Sequence, residues 1–349
     1  MAKRKAVSIK DVARESNASL TTVSLVLNNR DGRISRATRE RVLDAVERLG
    51  YRPSRLAQSL QSQRSGFLGI LVPQLRHAFA DVYFGELISA IQETAGENDY
   101  KIILDVANPR YLERSHHLEL FRRHYVDGLL CLGVTNNDTY LADFSEDQPV
   151  IVVNNRVSGV DLDFVQCDYS EAGRIAAKHL CELGHKKIGY IHGATEVQTT
   201  ADLRDGFEEV LDQLKLPLPE SRAEDGLYTE EGGAKAAIAL LTREPTITAI
   251  FAGNDKMAIG AISGLKRIGM RVPDDVSVIG CDDVHQAEYC DPPLTTIHTP
   301  IYEVGARACG LLLDLISSKA QVVRETQPVS LTVRKSTAAS GKGRNGAVK

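Results

Sequence analysis

The side chains best suited to chemical recognition lie in one short segment near the amino terminus. Ser19 has the type and position of a helix N-cap, and Val23, Val26 and Leu27 after it would face a core. The opposite face carries small or uncharged side chains, which would let the edge of a nucleic-acid base approach closely. That face consists of Ser19, Leu20, Thr21, Thr22, Ser24 and Leu25. The pattern predicts a helix that reads bases.

Two further short helices would hold that segment in place. Ser8 lies three residues before Asp11, which is the spacing of a capping box. Ser35 can cap a third helix, and Gly50 would end it. The residues of this helix expected to face inward are Val42, Leu43, Val46 and Leu49. Three helices around a few aliphatic residues form a core just large enough to fold, so we predict a helix-turn-helix domain over residues 1–53.

The distribution of charge supports the same interpretation. Residues 1–65 contain 14 Lys or Arg against 6 Asp or Glu, whereas the whole chain has a net charge of −4. A basic segment joined to an acidic remainder is expected where only one end of a protein binds phosphates. The alternative is that these charges form an ordinary solvated surface.

A short hinge follows the head. Within this hinge, residues 54–65, the stretch Ser54–Gln63 could form fewer than three helical turns, which is too short for an isolated stable helix. Ala57 and Leu60 are three positions apart and would share one face. The segment is therefore either a helix that forms only when a partner is bound or a plain solvated linker.

The rest of the chain alternates apolar runs with amphipathic stretches. Predicted strands span 67–72, 101–105, 128–132, 150–153, 164–167, 187–191, 249–252 and 276–280. Predicted helices span 84–98, 111–124, 170–183, 201–214, 232–243 and 257–268. This alternation predicts an α/β body of parallel sheets covered by helices on both faces. Two such groups in series predict two lobes, with a ligand cleft at the carboxyl ends of their strands.

Several classes of protein are not expected. The apolar run 66–72 is far too short to span a membrane, and the Lys3–Lys5 start does not resemble a secretory signal. Six cysteines without a Cys-x-x-Cys pair indicate reduced thiols in a cytoplasmic protein, and neither a metal site nor a cofactor is expected. No phosphate-binding loop or nucleophile elbow is found, so we expect no catalytic residues and no enzyme.

The head and several body segments together resemble the LacI/GalR family of transcription factors. In the head these are 8–13 (SIKDVA) and 19–28 (SLTTVSLVLN). In the body they are 123–130 (RHYVDGLL), 183–188 (LGHKKI), 251–260 (FAGNDKMAIG), 272–283 (VPDDVSVIGCDD) and 292–297 (PPLTTI). The resemblance implies a repressor with two periplasmic-binding-protein-like lobes crossed by three connections.

The resemblance also implies boundaries for these parts. A body over 66–340 would divide into lobe one, 66–164 plus 298–325, and lobe two, 165–297 plus 326–337. A disordered tail would occupy 338–349. The tail has no heptad leucines, so a homodimer is expected on a palindromic double-stranded DNA operator.

Further DNA contacts are implied by the family. They are assigned to Asn28, Arg33, Tyr51 and Ala57, in addition to the face of the second helix. Leu60 would be the leucine that wedges into the minor groove when the hinge helix pairs with its twin, which costs unstacking and gains a bent duplex. Leu25 stands where the family often has an arginine, so it could offer only an apolar contact, for example to a thymine methyl group.

The family places its effector between the lobes. Asn254 and Asp282 map to positions that bind ligand hydroxyls or ring nitrogens, and Asp81 and Phe84 would edge the cleft from lobe one. An amide and a carboxylate at strand ends can hold vicinal hydroxyls. The expected effector is therefore a sugar or a sugar derivative.

One departure from the family pattern concerns this site. Leu203 stands where the family usually has an effector-binding arginine, and the adjacent Arg204 would substitute for it. Two alternatives stay open. One is a purine-like corepressor that tightens DNA binding, and the other is a transport-type solute-binding protein whose head is incidental.

Overall fold

A computed structural model describes residues 7–27, 34–52, 64–73, 81–319 and 324–341. The chain divides into two compact units, Met1–Ser65 and Gly66–Lys349, which are described separately. Within the described ranges, no helix is long and apolar enough to cross a membrane.

The first unit contains the three predicted helices, α1 (Ile9–Glu15), α2 (Leu20–Leu27) and α3 (Arg36–Leu49). Their predicted caps are confirmed. The backbone N–H of Ser8 donates to Asp11 Oδ2 at 3.0 Å, and the backbone N–H of Thr22 donates to Ser19 Oγ at 3.0 Å. Gly50 ends α3 with a φ of 60° in the left-handed region, where glycine is favoured.

The core of this unit differs from the prediction at one position. Val12, Val23, Val26 and Val42 are buried as expected, but Ala45 takes the place assigned to Leu43, which is 44% exposed. Consecutive helical residues are about 100° apart around the axis, so the inward stripe of α3 runs through 42, 45, 46 and 49. The prediction that Leu43 faces inward is wrong.

The second unit contains two six-stranded sheets. The sheet of lobe one is entirely parallel, in the order β11-β5-β4-β3-β1-β2. Its strands are β1 (Phe67–Pro73), β2 (Lys101–Ala107), β3 (Gly128–Leu132), β4 (Val150–Val153), β5 (Asp163–Cys167) and β11 (Arg324–Gln327). Its helices are α4 (Val82–Glu97), α5 (Pro109–Glu113), α6 (His116–Arg122) and α12 (Ile301–Ile316), with a 3₁₀ turn at Thr139–Asp143.

The sheet of lobe two has the order β12-β10-β9-β8-β6-β7, and only β12 runs antiparallel to its neighbour. Its strands are β6 (Ile188–His192), β7 (Ala223–Asp225), β8 (Ala249–Ala252), β9 (Ser277–Asp282), β10 (Thr295–His298) and β12 (Ser330–Thr332). Its helices are α7 (Tyr169–Glu182), α8 (Gln198–Gln213), α9 (Glu230–Arg243), α10 (Asp255–Arg267) and α11 (His285–Tyr289), with a 3₁₀ turn at Glu220–Arg222.

The central strands explain why the sequence forms parallel sheets. Every residue of β3, β4 and β8 is buried, as expected for strands that have helices on both faces. All eight predicted strands are present. The predicted helix 111–124 is instead two helices, because Ser115 between them has a φ of 52° that interrupts the helical path.

The crossings between lobes also differ from the expected boundaries. β5 pairs with β4 and β11, so lobe one continues to Cys167 and not only to 164. β11 keeps lobe one until Gln327, two residues beyond 325. The first part of the expected disordered tail is bonded to lobe two: the backbone N–H of Ala338 donates to Ser277 Oγ at 3.0 Å, and that of Ser340 to Leu183 O at 2.8 Å. Residues 342–349 lie outside the described ranges.

Candidate nucleic-acid interface and ligand cleft

The outer face of α2 has the accessibility that base contact requires. Ser19 and Thr21 are exposed and Thr22 and Ser24 are half-buried. Leu20 and Leu25 are 45% and 36% exposed, although leucine usually lies inside a protein. Two accessible leucines beside short hydroxyl side chains form a surface that can contact thymine methyl groups and base edges together.

The other predicted DNA contacts are only partly described. Tyr51 packs against the core of the first unit and is half-buried. Asn28, Arg33, Ala57 and Leu60 lie outside the described residues, so their assignment stays a prediction.

Asp282 ends β9 at the carboxyl edge of the lobe-two sheet. Its φ of 117° is rarely adopted by residues other than glycine, and such strain is concentrated at functional sites. Burial raises the pKa of this carboxyl well above its usual range, and the charges of Asp255, Asp81 and Glu86 raise it further. A carboxyl group that keeps its proton can donate as well as accept a hydrogen bond.

Asn254 follows β8, the strand next to β9. Its side chain caps α10, because Asn254 Oδ1 accepts the backbone N–H of Met257 at 2.9 Å. The cap occupies the amide oxygen, which leaves the amide NH₂ group as the part that can serve a ligand. Asn254 therefore also has a structural role, as the N-cap of α10.

Asp255 is fully buried beneath this edge of the sheet. Its two carboxyl oxygens accept the hydroxyl of Thr296 at 2.5 Å and the backbone N–H of Val284 at 2.9 Å. Burial raises the pKa of Asp255 to about 7. The residue joins α10, β10 and the loop after β9, so it holds the backbone around Asp282 in position.

Asp81 and Phe84 lie at the start of α4 in lobe one. Asp81 caps α4 by accepting the backbone N–H of Tyr83 at 3.1 Å, and it also binds Lys256 Nζ of lobe two at 2.9 Å. Phe84 is half-buried, and its ring meets that of Tyr83 edge-on at a centroid distance of 5.3 Å. Asp81 is therefore a contact between the lobes, and its place at the edge of the cleft stays a prediction.

Arg204 forms ion pairs with two carboxylates of its own lobe. Its guanidinium binds Glu208 at 2.6 Å and Glu220 at 2.7 Å, both within lobe two. Leu203 is turned into the core. This differs from the expectation that Arg204 would replace the missing arginine, because the two carboxylates already engage its guanidinium.

A polar cluster at the first crossing was missed by the sequence analysis. Asn154 Nδ2 donates to the hydroxyl oxygens of Tyr83 at 2.6 Å and Tyr169 at 2.8 Å. Its Oδ1 accepts the backbone N–H of Cys167 at 2.9 Å. Burial, chiefly, and the nearby charge of Asp282 raise the pKa of both tyrosines. The one available signal was an amide directly after the carboxyl end of β4.

A second tyrosine environment lies on the lobe-two side. The hydroxyl group of Tyr228 is hydrogen-bonded to that of Thr200. Its ring lies against Gly193, where a β-carbon would overlap the ring. Burial raises the pKa of Tyr228 to about 12, and Asp282 contributes to the rise. Aromatic faces and hydrogen-bonding groups around one carboxyl are suited to binding a small polar ligand.

Within the described residues, no group of three His, Cys, Asp or Glu side chains is placed to hold a metal ion. The groups around Asp282 are hydrogen-bond donors, acceptors and aromatic rings. This composition fits recognition of a ligand, with its affinity set by burial and by how many polar groups find partners.

Comparisons with known proteins agree with both parts of the chain. Residues 8–54 match the family of bacterial regulatory proteins, lacI family, and residues 177–337 match a periplasmic binding protein-like domain. The HTH-type transcriptional repressor PurR of Haemophilus influenzae (strain PittEE) is 35% identical over 327 residues, covering 93% of this chain and 96% of the relative.

Solved structures show the same likeness over nearly the whole chain. The lac repressor dimer bound to operator and the anti-inducer ONPF has 27% identity and a TM-score of 0.82, with 96% of this chain and 100% of that chain covered. The transcriptional regulator CelR in complex with cellobiose has 28% identity and a TM-score of 0.73, with 95% and 99% covered. With its helix-turn-helix unit and its two parallel-sheet lobes, this chain belongs to the lacI family of bacterial regulatory proteins, which are DNA-binding regulators and not enzymes.

Proposed function

We propose that this protein is a homodimeric transcriptional repressor that reads a palindromic operator through α2 and is controlled by a small ligand bound between its lobes. The observation that carries the proposal is the exposed face of α2, where Leu20 and Leu25 are accessible beside short hydroxyl side chains. The PurR relatives support the repressor function by name. The lac repressor, solved as a dimer on its operator, supports the dimer. A transport-type binding protein receives no support from these relatives.

Leu25 provides a test of this interface. We expect Leu25→Ala to weaken binding to the preferred operator roughly tenfold, because it removes apolar contact with the bases. The operator is first selected from random duplexes with the wild-type protein, and Kd is measured by fluorescence anisotropy at several salt concentrations. The salt slope should stay unchanged, since no phosphate contact is lost.

Leu43→Ala is the matched control, because Leu43 is an equally exposed leucine on α3 of the same unit. It should leave operator affinity unchanged. Equal operator affinity of the Leu25→Ala variant and the wild type would contradict base contact by this face of α2.

For the ligand, we infer a purine-like heterocycle as the first candidate. The relatives named PurR match this chain at 33–35% identity, against 28% for the cellobiose complex. Tyr83, Phe84 and Tyr228 supply aromatic surface, and Asp282 supplies a carboxyl group that can form hydrogen bonds with a heterocycle. A sugar is the second candidate, supported by the cellobiose bound to the related CelR.

A thermal-shift screen of the full chain separates these candidates. Purine bases and nucleosides are compared with mono- and disaccharides, and a ligand that binds only the folded state raises Tm with concentration. We expect a saturable rise with the purine class that Asp282→Asn reduces and Asp212→Asn, a change of an exposed carboxylate on α8, leaves intact. A saturable rise with sugars alone would select the second candidate.

A further inference from the structure

We propose that Arg156 and Asp202 form a latch that stabilises the closed arrangement, in which the two lobes contact each other; this inference rests on the proposed function of the cleft and concerns its regulation. Arg156 lies in lobe one, after β4, and Asp202 lies on α8 of lobe two. Arg156 Nη1 donates to Asp202 Oδ2 at 2.6 Å and Nη2 donates to Oδ1 at 2.8 Å. Two parallel bonds between a guanidinium and a carboxylate form the strongest common ion-pair geometry.

The burial of the pair makes it more than a surface contact. The side chain of Asp202 is 9% exposed and that of Arg156 is 38% exposed. A largely buried carboxylate that loses its cation is strongly disfavoured. Removing either partner should therefore destabilise the closed arrangement, while the open arrangement, in which water can reach both groups, is affected less.

Hydrogen bonds beside the pair also connect the lobes. Gln198 Nε2 donates to Asp202 Oδ1 within lobe two at 3.0 Å, and Gln198 Oε1 accepts Asn136 Nδ2 of lobe one at 3.4 Å. The backbone N–H of Asn136, in lobe one, donates to Glu196 O of lobe two at 2.7 Å. Asn136 is itself held by the backbone N–H of Ser158, which donates to its Oδ1 at 2.9 Å. The latch is thus part of a connected network. The backbone amide of Asn136 is bonded only while the lobes are together, so its hydrogen exchange measures how often they separate.

Asp202 lies beside the position at which the family usually has an effector-binding arginine. Its neighbour Leu203 packs into the lobe-two core, so α8 offers the cleft a carboxylate instead of an arginine, and the cation comes from the opposite lobe. The contact between Asp81 and Lys256 forms a second link between the lobes, at 2.9 Å. Two ion pairs between side chains, Arg156 with Asp202 and Lys256 with Asp81, thus link the lobes.

Hydrogen exchange of the full-length protein, without DNA or ligand, tests this latch. We expect Asp202→Asn and Arg156→Gln each to accelerate exchange of the Asn136 amide at least about tenfold, measured by mass spectrometry with fragmentation to single residues. The double variant should exchange no faster than the faster single variant, since both changes remove one interaction. Exchange of the β3 amides should not change.

Asp161→Asn is the matched control, because Asp161 binds Arg324 within lobe one and joins no lobes. It should leave the Asn136 amide as slow as in the wild type. Fast exchange of Asn136 in the wild-type protein, no acceleration in the two single variants, or equal acceleration throughout β3 would each overturn the latch. Failure of the regulator proposal would show separately, as absence of operator binding by the wild-type chain.

Discussion

Replacing Gly206 by alanine is expected to lower the free energy of unfolding by about 3 kcal/mol, because overpacking against a rigid backbone cannot be relieved by side-chain movement. A β-carbon at Gly206 would lie closer than 3.0 Å to the backbone carbonyl group of Ser170. A β-carbon at Gly173, on the facing helix α7, would likewise lie closer than 3.0 Å to backbone atoms of Leu203 and Phe207. Helices α7 and α8 therefore touch backbone to backbone, and the alanine must push them apart.

The measurement is urea unfolding followed by far-ultraviolet circular dichroism, with m-values compared between proteins. Gly310→Ala is the matched control, since Gly310 lies within α12 and an added β-carbon there meets nothing within 4 Å. It should leave stability unchanged or raise it by up to about 1 kcal/mol, as expected for glycine to alanine within a helix. Equal stability of the two variants would contradict the close contact.

Gly206→Ala should also weaken ligand binding in the cleft. Helix α8 carries Thr200 and Asp202, and α7 begins at Tyr169 in the polar cluster of the first crossing. Separating α7 from α8 moves these groups relative to one another. The ligand-induced rise in Tm should therefore also fall in Gly206→Ala but not in Gly310→Ala.

The apolar runs of β8 and β9 predicted two strands, and the family resemblance singled out Asn254 and Asp282 at their carboxyl ends. The structure places β8 and β9 next to each other, while the ligand contacts of Asn254 and Asp282 stay a prediction. The helix caps of the first unit could be predicted as well, because each joins residues only three positions apart. The periodicity of α3 did not fix its rotation about the helix axis. For this reason Leu43 was predicted to face inward, whereas Ala45 is the buried residue.

The contacts between lobes could not be predicted in this way. Arg156 and Asp202 are 46 positions apart and belong to different lobes, so their meeting depends on how two independently folded sheets close on each other. Arg204 and Asp202 are both charged residues of α8, and no local pattern shows which of them faces the other lobe. The edge strand β11 was missed for a similar reason: its sequence RETQ contains no apolar residue, and it is a strand because it pairs with β5.

The stability of this protein should also depend on pH through Asp255. Its carboxyl is fully buried and has a pKa of about 7 in the folded chain, against about 3.9 when unfolded. Between these values the folded state binds the proton more tightly than the unfolded state does. The stabilisation is complete below about pH 4 and is lost as pH rises towards 7.

Asp255→Asn removes this contribution, because the asparagine side chain does not titrate. Between pH 5 and pH 7 the wild type should lose about 2 kcal/mol of unfolding free energy relative to the variant. Burial lowers the pKa of His117, His179 and His185, which therefore destabilise the fold as pH falls below about 6.5. Both proteins contain these histidines, so their effect cancels in the difference.

The measurement is urea unfolding of both proteins at half-unit steps from pH 5 to pH 8, with Asp212→Asn as an exposed control that should follow the wild type. The variant has only one amide oxygen for the two donors that Asp255 accepts, Thr296 and Val284, so its absolute stability also changes. The test is therefore how the difference in unfolding free energy between the wild type and Asp255→Asn changes with pH. Parallel curves would mean that Asp255 stays ionised throughout, and that its two hydrogen bonds outweigh the cost of burying its charge.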